Sequence, residues 1–382
     1  MSIALGSTIG IGNIIGVAAA ISIGGAGSIF WMLVTGFLGM IIKFTEVYIC
    51  VKEAKDTSRN CGGPMYVLCK MASGKFKLLG CFFAIVTLLA SFFAGNLMQS
   101  KAVYRFAYLG FNVSFFSVTM ILLPLLLVIL TGKDRLYQNF SAIFVPLMAV
   151  IYISAVLIII FINFKYVPSA VLSVFTSAFG FRPALGGFSG AVISAALRLG
   201  VMKGLFTHEA GMGSAPIAHS SAEKTDPFSQ GCWGIVEVFI DTVIVCMLTA
   251  VAILSSPVYL KATTTDPFQL ICEIFEGVFG GLGIKALSLS AILFAFASIV
   301  GWSYYGIKAL EFFTEKSSAK KMYIVTFLAT VPLSCTVSDS FAWALTDIFN
   351  SMMLIPNSIM LMVLGGEAVK PLSKIKKVVE IG

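Results

Sequence analysis

Gly6-Ser7-Thr8-Ile9-Gly10-Ile11-Gly12-Asn13-Ile14-Ile15-Gly16 is apolar enough to lie in lipid or protein interior, yet it carries four glycines. Each glycine costs a helix up to ~1 kcal/mol relative to Ala. Two readings compete. The spacings Gly6-x-x-x-Gly10 and Gly12-x-x-x-Gly16 would let a second helix pack closely. Alternatively the helix unwinds here, which a membrane tolerates only where the freed backbone lines a cavity or is buried in protein. The second half of the chain decides between them. Gly211-Met212-Gly213-Ser214 repeats Gly10-Ile11-Gly12-Asn13, and Cys232-Trp233 repeats Phe30-Trp31 at nearly the same offset. Packing alone gives no reason for both interruptions to fall at corresponding positions, so both are read as functional breaks.

Composition places the breaks in a membrane. The 382 residues are 58% hydrophobic and 12% charged, with a mean hydropathy of +0.96, whereas a soluble domain carries about 25% charged residues. Apolar runs long enough, or nearly so, to span a bilayer fall at 2–23, 29–51, 78–100, 114–131, 140–163, 190–219, 233–255, 284–312, 322–338 and 341–365. At ~20 residues per span these predict about ten transmembrane helices. The fold class expected is all-α: a polytopic integral membrane protein of two inverted five-helix repeats, each with a broken first helix. Residues 1–163 form the first repeat, 164–189 an outer connection, 190–365 the second repeat and 366–382 a cytoplasmic tail. An odd number of spans per half forces opposite orientations, and paired breaks of this kind point to a transporter's central site.

The basic residues orient the chain. With the 52–77 loop in the cytoplasm, most Lys and Arg outside the spans, including Lys52, Lys133, Lys320 and Lys376, fall on that side. Fewer, among them Lys101, Arg105, Lys165 and Lys203, fall on the other. This predicts a multi-pass protein of the cell (inner or plasma) membrane with a cytoplasmic C-terminus. Met1 runs into apolar sequence without a basic lead-in, so no cleavable signal is expected. The net charge of +8 is spread between spans rather than along one face and does not indicate nucleic acid. The eight cysteines form no CxxC pair or His-linked cluster, and read as packing residues. Gly10-x-Gly12-x-x-x-Gly16 lacks the spacing and the preceding strand of a dinucleotide site, and no Walker lysine supports ATP-driven transport. No nucleophile–base pair stands near the breaks, so an enzyme is not expected.

Where a helix unwinds at mid-membrane, amides opening the next half-helix attract a carboxylate, and carbonyls closing the previous one attract a cation. The amides of Ile11, Gly12 and Asn13 are therefore candidate carboxylate donors. The carbonyls of Gly6 and Ile9 are candidate cation ligands.

Gly10-x-Gly12-Asn13-Ile14-x-Gly16-Val17, Phe30-Trp31-Met32, Gly62-Gly63-Pro64-Met65-Tyr66, Glu209-Ala210-Gly211-Met212-Gly213-Ser214-Ala215-Pro216-Ile217-Ala218-His219 and Phe239-Ile240-Asp241-Thr242 resemble the alanine/glycine:cation symporters over nearly the whole chain. The resemblance implies a leucine-transporter-type fold and Na⁺-coupled uptake of a small neutral amino acid such as alanine or glycine. It implies a substrate pocket of Ile11, Gly12, Asn13, Gln99, Phe206 and Trp302. Na⁺ would lie between Gly6, Ile9 and Ser298, as coupling ion rather than cofactor. The chain departs from the family at Ile11, where a threonine is common, and at Ala297, where a hydroxyl residue is common. It begins close to the first break and is expected to be an N-terminally shortened member. The alternatives are a substrate sensor or non-transporting remnant of the same fold, or a proton-coupled or glutamine-selective symporter.

The remaining intramembrane polar residues carry paired readings. Lys43 and Glu46, three apart on one helix, suit an ion pair before a transport role. Glu209, at the second break, suits accepting hydrogen bonds across the unwound segment, or proton coupling. Asp241, with Glu237 one turn before it, suits bracing between helices. His208 suits a satisfied core position, or a pH sensor. Gln99 offers a ligand both donor and acceptor, and Phe206 and Trp302 would close a small pocket.

Overall fold

The computed structural model describes residues 2–55, 62–132, 134–179, 188–221, 226–261 and 264–379. The 52–77 loop and the connection at 164–189 fall partly outside these residues, as do Met1 and the last three residues of the expected tail. In chain order the helices are α1 (Ser2–Thr8), α2 (Ile15–Gly24), α3 (Gly27–Lys55), α4 (Pro64–Lys70), α5 (Lys77–Ala90) and α6 (Met98–Phe111). They continue with α7 (Phe115–Thr131), α8 (Asp134–Ile162), α9 (Val167–Phe179), α10 (Phe188–His208), α11 (Ala215–His219) and α12 (Pro227–Val238). The series ends with α13 (Met247–Ser255), α14 (Pro257–Lys261), α15 (Pro267–Phe279), α16 (Gly281–Phe313), α17 (Ser317–Leu333) and α18 (Asp339–Val379). No strand occurs among the described residues.

Two π-helical stretches, Ser91–Leu97 and Phe239–Cys246, join α5 to α6 and α12 to α13 into continuous rods. With these joined, six helices among the described residues are long and apolar enough to cross a membrane: Gly27–Ala54, Lys77–Phe111, Ile143–Ile162, Pro227–Ser255, Gly281–Phe313 and Asp339–Ala368. Shorter apolar helices span Ile11–Gly24 and Phe115–Thr131. The side-chain distribution is that of a membrane protein. Phe116, Ile143, Phe161 and Met362 lie on the exterior, while Lys43, Glu46, Glu209, Glu237 and Asp241 are buried. Apolar outer faces suit lipid, and buried charges in such a protein face its interior.

Local sequence explains the ends. Asp226 and Asp266 accept from backbone amides of the helices they precede, and Pro227 and Pro267 follow at positions that need no amide partner. Asn112 closes α6 in the left-handed conformation at φ 52°.

The helix through the third apolar run extends to Phe111, beyond the boundary at 100. Lys101 and Arg105 therefore sit on the helix rather than in a loop. Hydropathy could not anticipate this, because the partners are remote in sequence. Lys101 Nζ donates to the carbonyls of Val337 at 2.6 Å and Ser334 at 3.4 Å and lies 3.0 Å from the Asp339 carboxylate. Arg105 pairs with Asp266. α18 continues as helix past residue 365 to Val379.

Candidate functional site

The first break begins where α1 ends at Thr8, leaving its last carbonyls without intrahelical partners. Ile9 and Gly10 lie outside any helix. Gly10 is extended (φ −137°, ψ −158°), and Ile11–Asn13 form a single 3₁₀ turn before α2. That turn closes through Asn13 N to Gly10 O at 3.3 Å and Ile14 N to Ile11 O at 3.1 Å. The amides of Ile11 and Gly12 remain outside it.

Both polar side-chain atoms of Asn13 have partners in the protein. Its Oδ1 accepts from Gly10 N at 3.1 Å, and its Nδ2 donates to the Asp241 carboxylate at 2.6 Å and the Asp241 carbonyl at 3.1 Å. Asp241 sits in the second π-helical stretch and also accepts from Thr242 Oγ1 at 3.0 Å. This is the bracing role read for Asp241, and its partner is the first break itself.

The second break runs from Glu209 to Ser214. Glu209, Gly211 and Gly213 adopt φ of 53°, 85° and 75°. A bulky residue at positive φ is strained, and such strain is characteristic of functional sites. Glu209 bridges the unwound segment: Oε2 accepts from Ser214 Oγ at 2.6 Å and Oε1 from the Trp302 indole at 3.0 Å. The hydrogen-bonding reading of Glu209 therefore has its geometry here.

Helices α3, α12 and α18 hold this break from outside. Lys43 Nζ donates to the His208 carbonyl at 2.9 Å, placing a cation at the C-terminal end of α10, and lies 3.9 Å from Glu237. Glu46 does not pair with Lys43, as their spacing suggested. It accepts from Gly211 N at 3.1 Å and Asn357 Nδ2 at 2.7 Å. The helical-face argument failed because each residue has a nearer polar group on another helix. His219 completes the array, contacting Gln230 at 2.7 Å and Glu237 at 2.9 Å. His208 Nδ1 accepts from Ala210 N at 3.0 Å, which puts the proton of a neutral ring on Nε2.

Between the breaks lies a narrow cavity lined by Ser7, Thr8, Gly10, Gly12, Gln99, Phe206, Glu209, Trp302 and Asn350. Of the expected substrate residues, Gly12, Gln99, Phe206 and Trp302 meet there. Ile11 and Asn13 are buried but are not among its lining residues. Phe206 stands against Trp343, ring centroids 5.1 Å apart and planes at 69°. Beyond Phe206 a second cavity is lined by Met202, Leu205, Phe206, Met212, Asp347, Asn350, Ser351 and Leu354, so Phe206 and Asn350 form the partition.

Of the expected cation ligands, Gly6 and Ser298 come together. Ser298 Oγ lies 3.5 Å from Gly6 O and 3.4 Å from Ser7 O. Ser7 also brings its carbonyl beside the hydroxyl. Sequence reasoning passed over Ser7, Asn350 and Asn357; the signal available was an uncharged polar residue inside an apolar span.

The sequence profile of the sodium:alanine symporter family matches residues 1–381. Among similar proteins, the sodium/alanine symporter AgcS of Methanococcus maripaludis is 35% identical, over 98% of this chain and 83% of its own length. The probable sodium/glutamine symporter GlnT of Bacillus subtilis is 30% identical, over 95% of this chain and 74% of its own. The crystal structure of MhsT in complex with L-phenylalanine superposes with a TM-score of 0.67 at 16% identity, covering 94% of this chain and 87% of that one. At that identity the likeness speaks for the fold, which is of the leucine-transporter type. With its profile matched along the chain and its relatives aligned over nearly all of it, this protein belongs to the sodium:alanine symporter family.

Proposed function

We propose that this protein imports a small neutral amino acid, alanine or glycine, by symport with Na⁺. Membership of the sodium:alanine symporter family supports a transporter rather than an enzyme. The observation that carries the substrate class is the cavity between the two breaks. It opens onto the backbone of Gly10 and Gly12 on one side and is walled by Phe206 and Trp302 on the other. The cavity is narrow as it stands, with about 10 Å³ of free space. Amides at the first break suit a carboxylate, and the two rings bound the space beside them. The carbonyls of Gly6 and Ser7 with the Ser298 hydroxyl offer oxygen ligands to Na⁺.

Uptake of labelled alanine and glycine into proteoliposomes tests this reading. The expected result is accumulation that needs an inward Na⁺ gradient, with labelled alanine also exchanging in counterflow. Full uptake without Na⁺ under a pH gradient overturns the coupling. Preferential uptake of glutamine overturns the substrate class. Binding without counterflow identifies a sensor.

A further inference from the structure

Two cysteines that the sequence offers only as packing residues meet in the fold. Cys69 lies near the end of α4 and Cys81 in the second turn of α5. Gly80 brings them together. A Cβ there would stand 2.7 Å from the Cys69 sulfur and 2.7 Å from the Met65 carbonyl, so α4 rests directly on the backbone of α5. The Cys69 thiol faces the Lys77 carbonyl at 3.7 Å and is within hydrogen-bonding reach of the Cys81 thiol. Both thiols are free and both residues are only half-buried, so neither is sealed in the core.

The other end of α4 bears on the second break. A Cβ on Gly213 would stand 2.5 Å from the Pro64 ring, and one on Gly62 would collide with the side chain of Ser220, just past α11. α4 is thus wedged between the start of α5 and the half-helix that follows the second break, without slack at either contact. Whatever fixes α4 to α5 also restrains α11.

We propose that Cys69 and Cys81 are an oxidisable thiol pair whose disulfide staples α4 to α5 and slows transport. The chemistry is thiol–disulfide exchange with a small disulfide, oxidised glutathione. One protein thiolate attacks a glutathione sulfur, breaking that S–S bond and releasing one glutathione thiolate. The second protein thiolate attacks the protein-bound sulfur, closing the protein disulfide and releasing the other glutathione. The two protein thiols are oxidised, the glutathione disulfide is reduced, and the two thiol protons end on the two glutathiones. Burial lifts the Cys69 thiol above its usual range, which keeps it from reacting indiscriminately. The closing step is favoured because the two sulfurs are already adjacent. Alternating access rocks one part of such a fold against another, and the staple ties a rod of the first half to a half-helix of the second. The bond does not depend on what is carried; its effect rests on reading the chain as a transporter.

The test uses the purified full chain, incubated with oxidised glutathione, alkylated and digested, with linked peptides read by mass spectrometry. A peptide joining Cys69 to Cys81 is expected, and dithiothreitol should release it. In proteoliposomes the oxidised protein should take up labelled alanine about tenfold more slowly, as when a conformational step limits turnover, and dithiothreitol should restore the rate. Cys69→Ser and Cys81→Ser should transport like the reduced parent both before and after oxidation. Cys69→Ala and Cys81→Ala serve where a serine variant does not fold. Free thiols at both positions after oxidation, or a bond from either to another cysteine, overturn the pair. A closed pair that transports at the reduced protein's rate overturns the switch. A reduced protein that takes up no amino acid overturns the transport reading, and the linked peptide then still decides the pair.

Discussion

Asn13 of the first break donates to the Asp241 carboxylate at 2.6 Å, so the unwound segment of one half is pinned to a π-helical stretch of the other. Both side chains are buried, Asn13 at 1% exposure and Asp241 at 0%. Replacing Asp241 by Leu removes the carboxylate and leaves the Asn13 amide its bond to the main-chain carbonyl at 241. A hydrogen bond to a charged group contributes about 1.5–3 kcal/mol, and thermal unfolding in detergent should shift downward by up to that amount. Asp241→Asn keeps an oxygen facing Asn13 and should lose distinctly less.

The glycines of the first break should separate by position rather than by number. A Cβ on Gly12 would stand 3.0 Å from two ring carbons of Phe206 and from the Thr207 methyl, whereas one on Gly16 would be 3.9 Å from its nearest neighbours. Gly12→Val should abolish alanine uptake. Gly16→Ala should transport like the parent and gain up to ~1 kcal/mol of helix stability. Uptake and melting curves on the two variants read both effects. Alaninol, which has the amine but no carboxylate, should fail to compete with alanine.

Phe206 closes the inner cavity on the side of the second one. Phe206→Ala should join the two spaces and admit larger neutral amino acids, with weaker alanine binding. Truncating a buried aromatic costs about 3–5 kcal/mol, and half-buried Phe206 should fall at or below that range. Selectivity is therefore measured on protein shown by size-exclusion to be folded, with Phe206→Leu as the milder companion.

Ser298 should matter through Na⁺. Its hydroxyl faces the carbonyls of Gly6 and Ser7. Ser298→Ala should raise the Na⁺ concentration for half-maximal uptake about tenfold while leaving alanine affinity near the parent's when Na⁺ saturates. Because binding coupling is reciprocal, the same variant should bind alanine less tightly at low Na⁺. Ser298→Thr restores the hydroxyl and should recover most of the Na⁺ response.

The breaks were legible because glycine acts locally. Gly10 and Gly12 announce that a helix will not close, and Gly211 and Gly213 adopt the positive φ for which glycine is suited. The cavity's aromatic wall and Gln99 were reachable through motif resemblance. What stayed hidden is the partner of each buried charge. Lys43 and Glu46 sit three apart on α3, and a reading of one helix face pairs them. The fold instead sends Lys43 to His208 and Glu237, and Glu46 to Gly211 and Asn357. Lys101 looked like a loop residue because its compensating carbonyls, at Ser334 and Val337, lie on the far side of the chain. Asn350 carried only a faint local signature: one amide in an apolar helix is specified by the cavity it borders.

The π-helical stretch Ser91–Leu97 stands immediately before Gln99 on one continuous rod. Such a stretch accommodates one residue more than α-helical winding would. Each residue of an α-helix turns the chain by about 100°. Wound as ordinary α-helix, the same residues would carry Gln99 and everything after it roughly that far around the axis. The helix would survive and its composition would hardly alter, yet Gln99 would no longer face the cavity. The chemistry of this pocket is written partly as arithmetic: an insertion, silent in any hydropathy plot, sets which side chain looks inward.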